Sequence, residues 1–127
     1  MAKICISSTG KNLSSPVDPR FGRCAYFIIA NPEKPEQFEA IKNTGVQAPR
    51  GAGITAAQII ADKKVDVVIS GNFGPNAYFA LSQAGIKCYL ITSSMSVKEA
   101  LNAYKQGKLQ QLAESPAPGH FGRSPGF

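Results

Sequence analysis

The spacing of apolar positions changes several times along the chain, and each change marks an element. Residues 3–8 (KICISS) form a β-branched run closed by Thr9 and Gly10, which predicts a strand followed by a loop. AYFIIA at 25–30 predicts a second strand, NPEKP at 31–35 is turn chemistry, and QFEAIK at 37–42 alternates as a half-exposed third strand. After a loop at 43–52, Ile54, Ala57, Ile60 and Ala61 fall at helical spacing and predict a helix over 54–64. VDVVIS at 65–70 is a near-continuous apolar run of the kind buried on both faces of a parallel sheet. Pro75 then sits where a first helical turn tolerates a missing N–H, Ala77, Ala80, Leu81 and Ala84 make one stripe, and Gly85 closes a second helix. KCYLI at 87–91 is a fifth strand, and Ser96 with Glu99 fits a capping box that opens a third helix ended by Gly107.

The order βββ then αβαβα implies an α/β fold, a mixed sheet flanked by helices. A meander of strands 1 to 3 makes strands 1 and 3 parallel, and crossovers then place strand 4 beside strand 1 and strand 5 outside it. The predicted five-stranded order is 3-2-1-4-5, with strand 2 antiparallel. In that arrangement the segments RFGRC at 20–24, GAG at 51–53, GNFGPN at 71–76 and TSS at 92–94 meet on one rim, over the switch point where open α/β sheets bind ligands. Two helix N-termini preceded by glycines offer orphan N–H groups there, and Arg20 and Arg23 add charge. The competing reading of each glycine is a tight strand-to-helix turn and nothing more.

Composition narrows the chemistry. The 127 residues suit one domain, expected over 1–112 with a mobile Pro/Gly/Ser-rich tail at 113–127, and 43% hydrophobic with 17% charged residues fits a folded chain. No apolar run suffices for a membrane span and no secretory leader is visible, so a cytoplasmic protein is expected. A net charge of +6 favours an anionic partner, but the cations are dispersed, which argues against nucleic acid. Cys5, Cys24 and Cys88 form no CxxC pair, so neither a disulfide framework nor a closed zinc site is expected. Cys24 follows the arginine loop, where raised thiolate character would suit a soft metal, the alternative being a small buried residue that starts strand 2. No complete dinucleotide or P-loop motif occurs, and His120, the single histidine, stands in the tail beyond reach of a triad. Two-metal nuclease chemistry fails because strand 1 carries no carboxylate.

DPRFGRCAYFII, then GAGITAAQIIADKKVDVVISGNFGPNAYFALSQAGIKCYLI, then SVKEALNAYKQGKL closely resemble the dinitrogenase iron-molybdenum cofactor biosynthesis family of NifX, NifY and the C-terminal domain of NifB. The resemblance spans roughly residues 3–110. It implies a ribonuclease H-like three-layer fold without nuclease activity, and binding of an anionic iron-sulfur or molybdenum-containing cluster or its precursor. Carried over by position, the implied site is Arg20, Phe21, Gly22, Arg23, Gly51, Gly53, Gly71, Gly74 and Asn76. The expected function is a non-enzymatic carrier or scaffold for such a cluster, with a cluster-donor or acceptor protein as partner and Cys24 as an added metal ligand. Two rivals predict different behaviour: a small-metabolite enzyme at the same rim requires a nearby general base, and a regulatory module requires salt-sensitive binding of polyanions or protein.

Overall fold

The computed structural model describes residues 3–45, 51–91 and 93–112. The predicted tail, with His120 and the second FGR at 121–123, lies outside the described residues, as do Arg50 and Thr92. Strands β1 (Ile4–Ser8), β2 (Tyr26–Asn31) and β3 (Lys34–Lys42) precede α1 (Ala52–Asp62), β4 (Val67–Ser70), α2 (Pro75–Gln83), β5 (Lys87–Leu90), α3 (Val97–Lys105) and β6 (Gln110–Gln111). They build a single six-stranded sheet of order β3-β2-β1-β4-β5-β6. β1 runs antiparallel to β2 and parallel to β4, and β4 is parallel to β5.

The strand order over the first five strands is the one expected. The sixth strand is a correction: Gln110 and Gln111 pair antiparallel with Leu90 and Tyr89, and the Leu112 N–H donates to the Cys88 carbonyl at 2.8 Å. Boundaries differ as well: α1 ends at Asp62 and β4 begins at Val67, each two residues inside its expected range, and the starts of β3 and α1 also move. β3 begins at Lys34 because Pro32 and Glu33 alone make the turn, held by the Glu33 N–H donating to Asn31 Oδ1 at 2.9 Å. Pro35 is then accommodated in an edge strand, where a ladder hydrogen bond can be missing. α1 starts two residues early because Gly51 takes a left-handed φ of 72° as its N-cap.

Alternation along β1 explains the layers. Cys5, Phe27, Ile29, Val68 and Cys88 face Ala56, Ala57, Ile60, Ala77 and Leu81 of α1 and α2. Ile4, Ile6, Ile28, Ala30, Val67 and Ile69 instead pack against Val97, Ala100 and Leu101 of α3. β1 and β4 are buried along their whole length, as central strands covered on both faces must be. No helix among the described residues is long and apolar enough to cross a membrane.

Candidate functional site

β1 and β4 end side by side in serines. Ser7 Oγ donates to the Asp18 carbonyl at 2.6 Å and shares a second hydrogen bond of 2.8 Å with Ser70 Oγ, all three residues being buried. These bonds fix residues 18–20 over the β1/β4 junction, where Arg20 forms a bridge with Asn72 and the Phe21 N–H donates to the Asn72 carbonyl at 3.3 Å. The arginine segment and the glycine turn after β4 are therefore joined through their backbones. Asp18 is 4% exposed and accepts from the Arg20 N–H at 2.9 Å and from Nε at 3.3 Å, so Arg20 is anchored at its root while its side chain stays 68% exposed.

Phe21 to Arg23 form one 3-10 turn whose Phe21 points inward, 2% exposed, against Phe27 and Phe73 at centroid distances of 5.5 and 5.3 Å. Gly22 lies against the start of α1: a Cβ there would stand 2.9 Å from both Cα and N of Gly53. Gly53 in turn abuts α2, its own Cβ position lying 3.0 Å from Cβ of Ala77. Three small residues thus let the turn and both helix N-termini close on one another. Asn43 locks the assembly from behind, donating from Nδ2 to the carbonyls of Cys24 at 2.9 Å and Gly22 at 3.2 Å.

The result is a cleft of about 330 Å³ lined by Arg20, Phe21, Gly22, Arg23, Gly51 to Ile54, Asn72 and Gly74 to Ala77. α1 and α2 both open onto it with glycine N-caps, Gly51 and Gly74, and no side chain caps either helix. α3, which packs on the opposite face, has the full capping box: the Glu99 N–H donates to Ser96 Oγ at 3.1 Å and the Ser96 N–H to Glu99 Oε1 at 2.8 Å. The first-turn N–H groups of the two cleft helices, which in α2 begin at Asn76 because Pro75 has none, have no side-chain cap, and the helix dipoles favour an anion. A larger depression, of about 520 Å³, lies by the β2–β3 turn and the end of α3, but no helix N-terminus opens into it.

Of the nine implied binding positions, eight line the cleft. Gly71 does not: it lies beneath Pro19, whose Cβ would be 2.7 Å from a Cβ at that position, so its smallness serves the joining of two loops. Ser93 and Ser94 are also off the cleft wall. The segment after β5 pairs instead with the loop after β1, through Val17 N–H to the Met95 carbonyl at 2.9 Å and a Pro16–Ser96 bridge. Sequence reasoning passed over Asn43 and the Ser7–Ser70 pair, which have no motif of their own. Asp18, two residues before Arg20, is the one local signal that was available.

Cys24 sits as a small buried residue at the entry to β2, the second of its two readings. It is fully buried, its thiol donates to the Phe21 carbonyl at 3.3 Å, and burial pushes its pKa up to about 12 in place of the lowering expected beside two arginines. Cys88 is likewise pushed up to about 12 by burial, and Cys5 is raised for the same reason. A thiol more acidic unfolded, near 9.0, than folded stabilises the fold below that pH and ceases to do so as pH climbs towards 12. Stability should accordingly fall across that window. At pH 8 the native thiols should resist a maleimide that labels all of them rapidly in urea, and equal rates in the two states would contradict their burial. Among the described residues no group of three or more His, Cys, Asp or Glu side chains converges to hold a metal ion.

Comparison with known proteins gives this geometry a family. The apo form of the orange protein from Desulfovibrio gigas superposes with a TM-score of 0.84 at 33% identity, over 89% of this chain and 94% of that one. A Thermotoga NMR structure, provisionally described as a NifB protein, gives 0.80 at 37% identity, over 94% of this chain and 100% of that one. An uncharacterized protein of Methanocaldococcus jannaschii is 34% identical over 114 residues, 88% of this chain and 92% of its own. Residues 2–107 match the family described as dinitrogenase iron-molybdenum cofactor, and the chain belongs to that family.

Proposed function

We propose that the protein is a non-enzymatic carrier or scaffold that holds an anionic iron-sulfur or molybdenum-containing cluster, or a precursor of one, as cargo in the rim cleft. The observation that carries this reading is the pair of glycine-capped helix N-termini left without side-chain partners beside Arg20 and Arg23. The cluster is held by charge and N–H donors and not by thiolates, because the nearest cysteine, Cys24, is sealed below the floor as a neutral thiol. Such binding is reversible, as a carrier requires. The described wall residues supply guanidinium, amide and apolar groups, with no carboxylate or imidazole among them to act as a general base, which favours carriage over metabolite chemistry. The strand order β3-β2-β1-β4-β5 with β2 antiparallel supports a ribonuclease H-like ancestry for the scaffold. A cytoplasmic setting agrees with reduced cysteines.

The test is anaerobic loading with tetrathiomolybdate, or with iron and sulfide, followed by desalting, metal analysis and absorption spectra. Wild type should retain metal and a cluster band. Arg23→Ala should retain at least about tenfold less, the consequence of losing one charge-assisted contact of about 1.5–3 kcal/mol. Equal retention by the two proteins removes Arg23 from the site, and no retention by wild type refutes the proposal.

A further inference from the structure

Arg20 and Arg23 line a second cleft as well, of about 350 Å³, on the other side of the 3-10 turn. There the wall is completed by Asp18, Tyr26 and Lys42 among others. Tyr26 pairs across the strands with Lys42, and Lys11 Nζ stands 5.7 Å from the centroid of its ring. Arg20, Arg23 and Lys42 thus line the cleft together with Tyr26, and Lys11 stands over the tyrosine ring. The wall's carboxylate, Asp18, is buried and engaged by Arg20 through the backbone N–H, Nε and Nη2, so it offsets Arg20 and leaves the lysines' charge uncompensated by it. No helix N-terminus opens into this cleft, so it lacks the rigid N–H cradle that selects a small oxyanion. Lysines on long stems beside a half-buried tyrosine suit an extended, multiply charged surface, recognised through salt-sensitive attraction.

We propose that the second cleft docks an acidic segment of a partner protein that delivers or receives the cargo, and that docking weakens the hold on the cargo because both clefts use the same two arginines. The proposal rests on the cargo reading above. Carboxylates arriving on one side of Arg20 and Arg23 draw on guanidinium charge that stabilises the cluster on the other, and linkage makes the effect mutual: cargo weakens docking by the factor with which docking weakens cargo. The two ligands need share no atom for this. Their common element is a ridge one 3-10 turn wide.

A fluorescein-labelled octaglutamate peptide, followed by anisotropy with the full chain at low salt, separates the parts. Wild type should bind it, Lys42→Glu should bind it about tenfold more weakly, and Gly74→Ser, altered only in the first cleft, should bind it as wild type does. Loading with tetrathiomolybdate should weaken peptide binding, and the peptide should weaken tetrathiomolybdate binding by the same factor. Equal peptide affinity in wild type and Lys42→Glu overturns the docking site. Displacement of the peptide by inorganic phosphate at matched total charge also overturns it, in favour of a small-anion pocket. Unchanged peptide affinity in the loaded protein overturns the coupling. A chain that takes up no tetrathiomolybdate refutes the cargo reading and the coupling together, while the Lys42→Glu comparison on unloaded protein still decides whether the peptide docks there.

Discussion

Phe21→Ala is expected to lower folding stability by about 3–5 kcal/mol, the usual range for deleting a fully buried phenylalanine ring. The ring touches Phe27 from the sheet and Phe73 from the turn after β4, so its removal opens a void where three chain segments meet. The consequence for binding should exceed what stability alone predicts. Arg20 and Arg23 flank this ring, and without it the 3-10 turn loses its only buried side chain. A variant that still folds at low temperature should therefore retain little tetrathiomolybdate. Chemical denaturation and metal retention, measured on the same preparation, check both parts. A stability loss near zero would show that the ring does not anchor the turn.

The second large effect separates fold from function at two glycines of one cleft. At Gly74 an added Cβ meets nothing within 4 Å and φ is −68°, so neither packing nor backbone geometry demands glycine. Gly74→Ser should keep the fold and add a few tenths of a kcal/mol, since serine is a good N-cap. Its hydroxyl would then accept the N–H groups otherwise offered to the cargo, and retention should drop about tenfold or more. Gly22→Ala should show the reverse priority. Its Cβ would press on backbone atoms of Gly53 at 2.9 Å, which overpacking makes costly by about 1–3 kcal/mol. Thermal melts beside metal retention read the contrast. If Gly74→Ser melts early, or carries as much metal as wild type, the helix N-terminus is not the cargo's cradle.

The central strands were legible because burial on both faces leaves an unbroken apolar signature, as in VVIS at β4. Topology then brought the arginine and glycine segments together without any knowledge of side chains. The edges were harder to read. Pro35 looks like a turn residue until an edge strand accepts it, and Gln110–Gln111 has no strand pattern, existing because β5 offers an open ladder and Leu112 packs below it. Within the site, sequence identified glycines but not their reasons: Gly71 faces Pro19, Gly22 faces Gly53, Gly51 faces open space but holds a left-handed φ, and Gly74 faces open space with an ordinary φ. Cys24 misled for a related cause. Its neighbours in sequence are cationic, whereas the entry into β2 turns its sulfur towards the Phe21 carbonyl and Asn43.

The two borders of the sheet also set how copies of this chain meet. On one side β6 has only two residues; on the other, β3 carries Pro35 and a succession of exposed charges at Lys34, Glu36, Glu39 and Lys42. β6 is too short to template a further strand, and β3, though nine residues long, is protected by Pro35 and its row of charges. Crowded preparations should for that reason stay free of fibrils even when the cargo is absent.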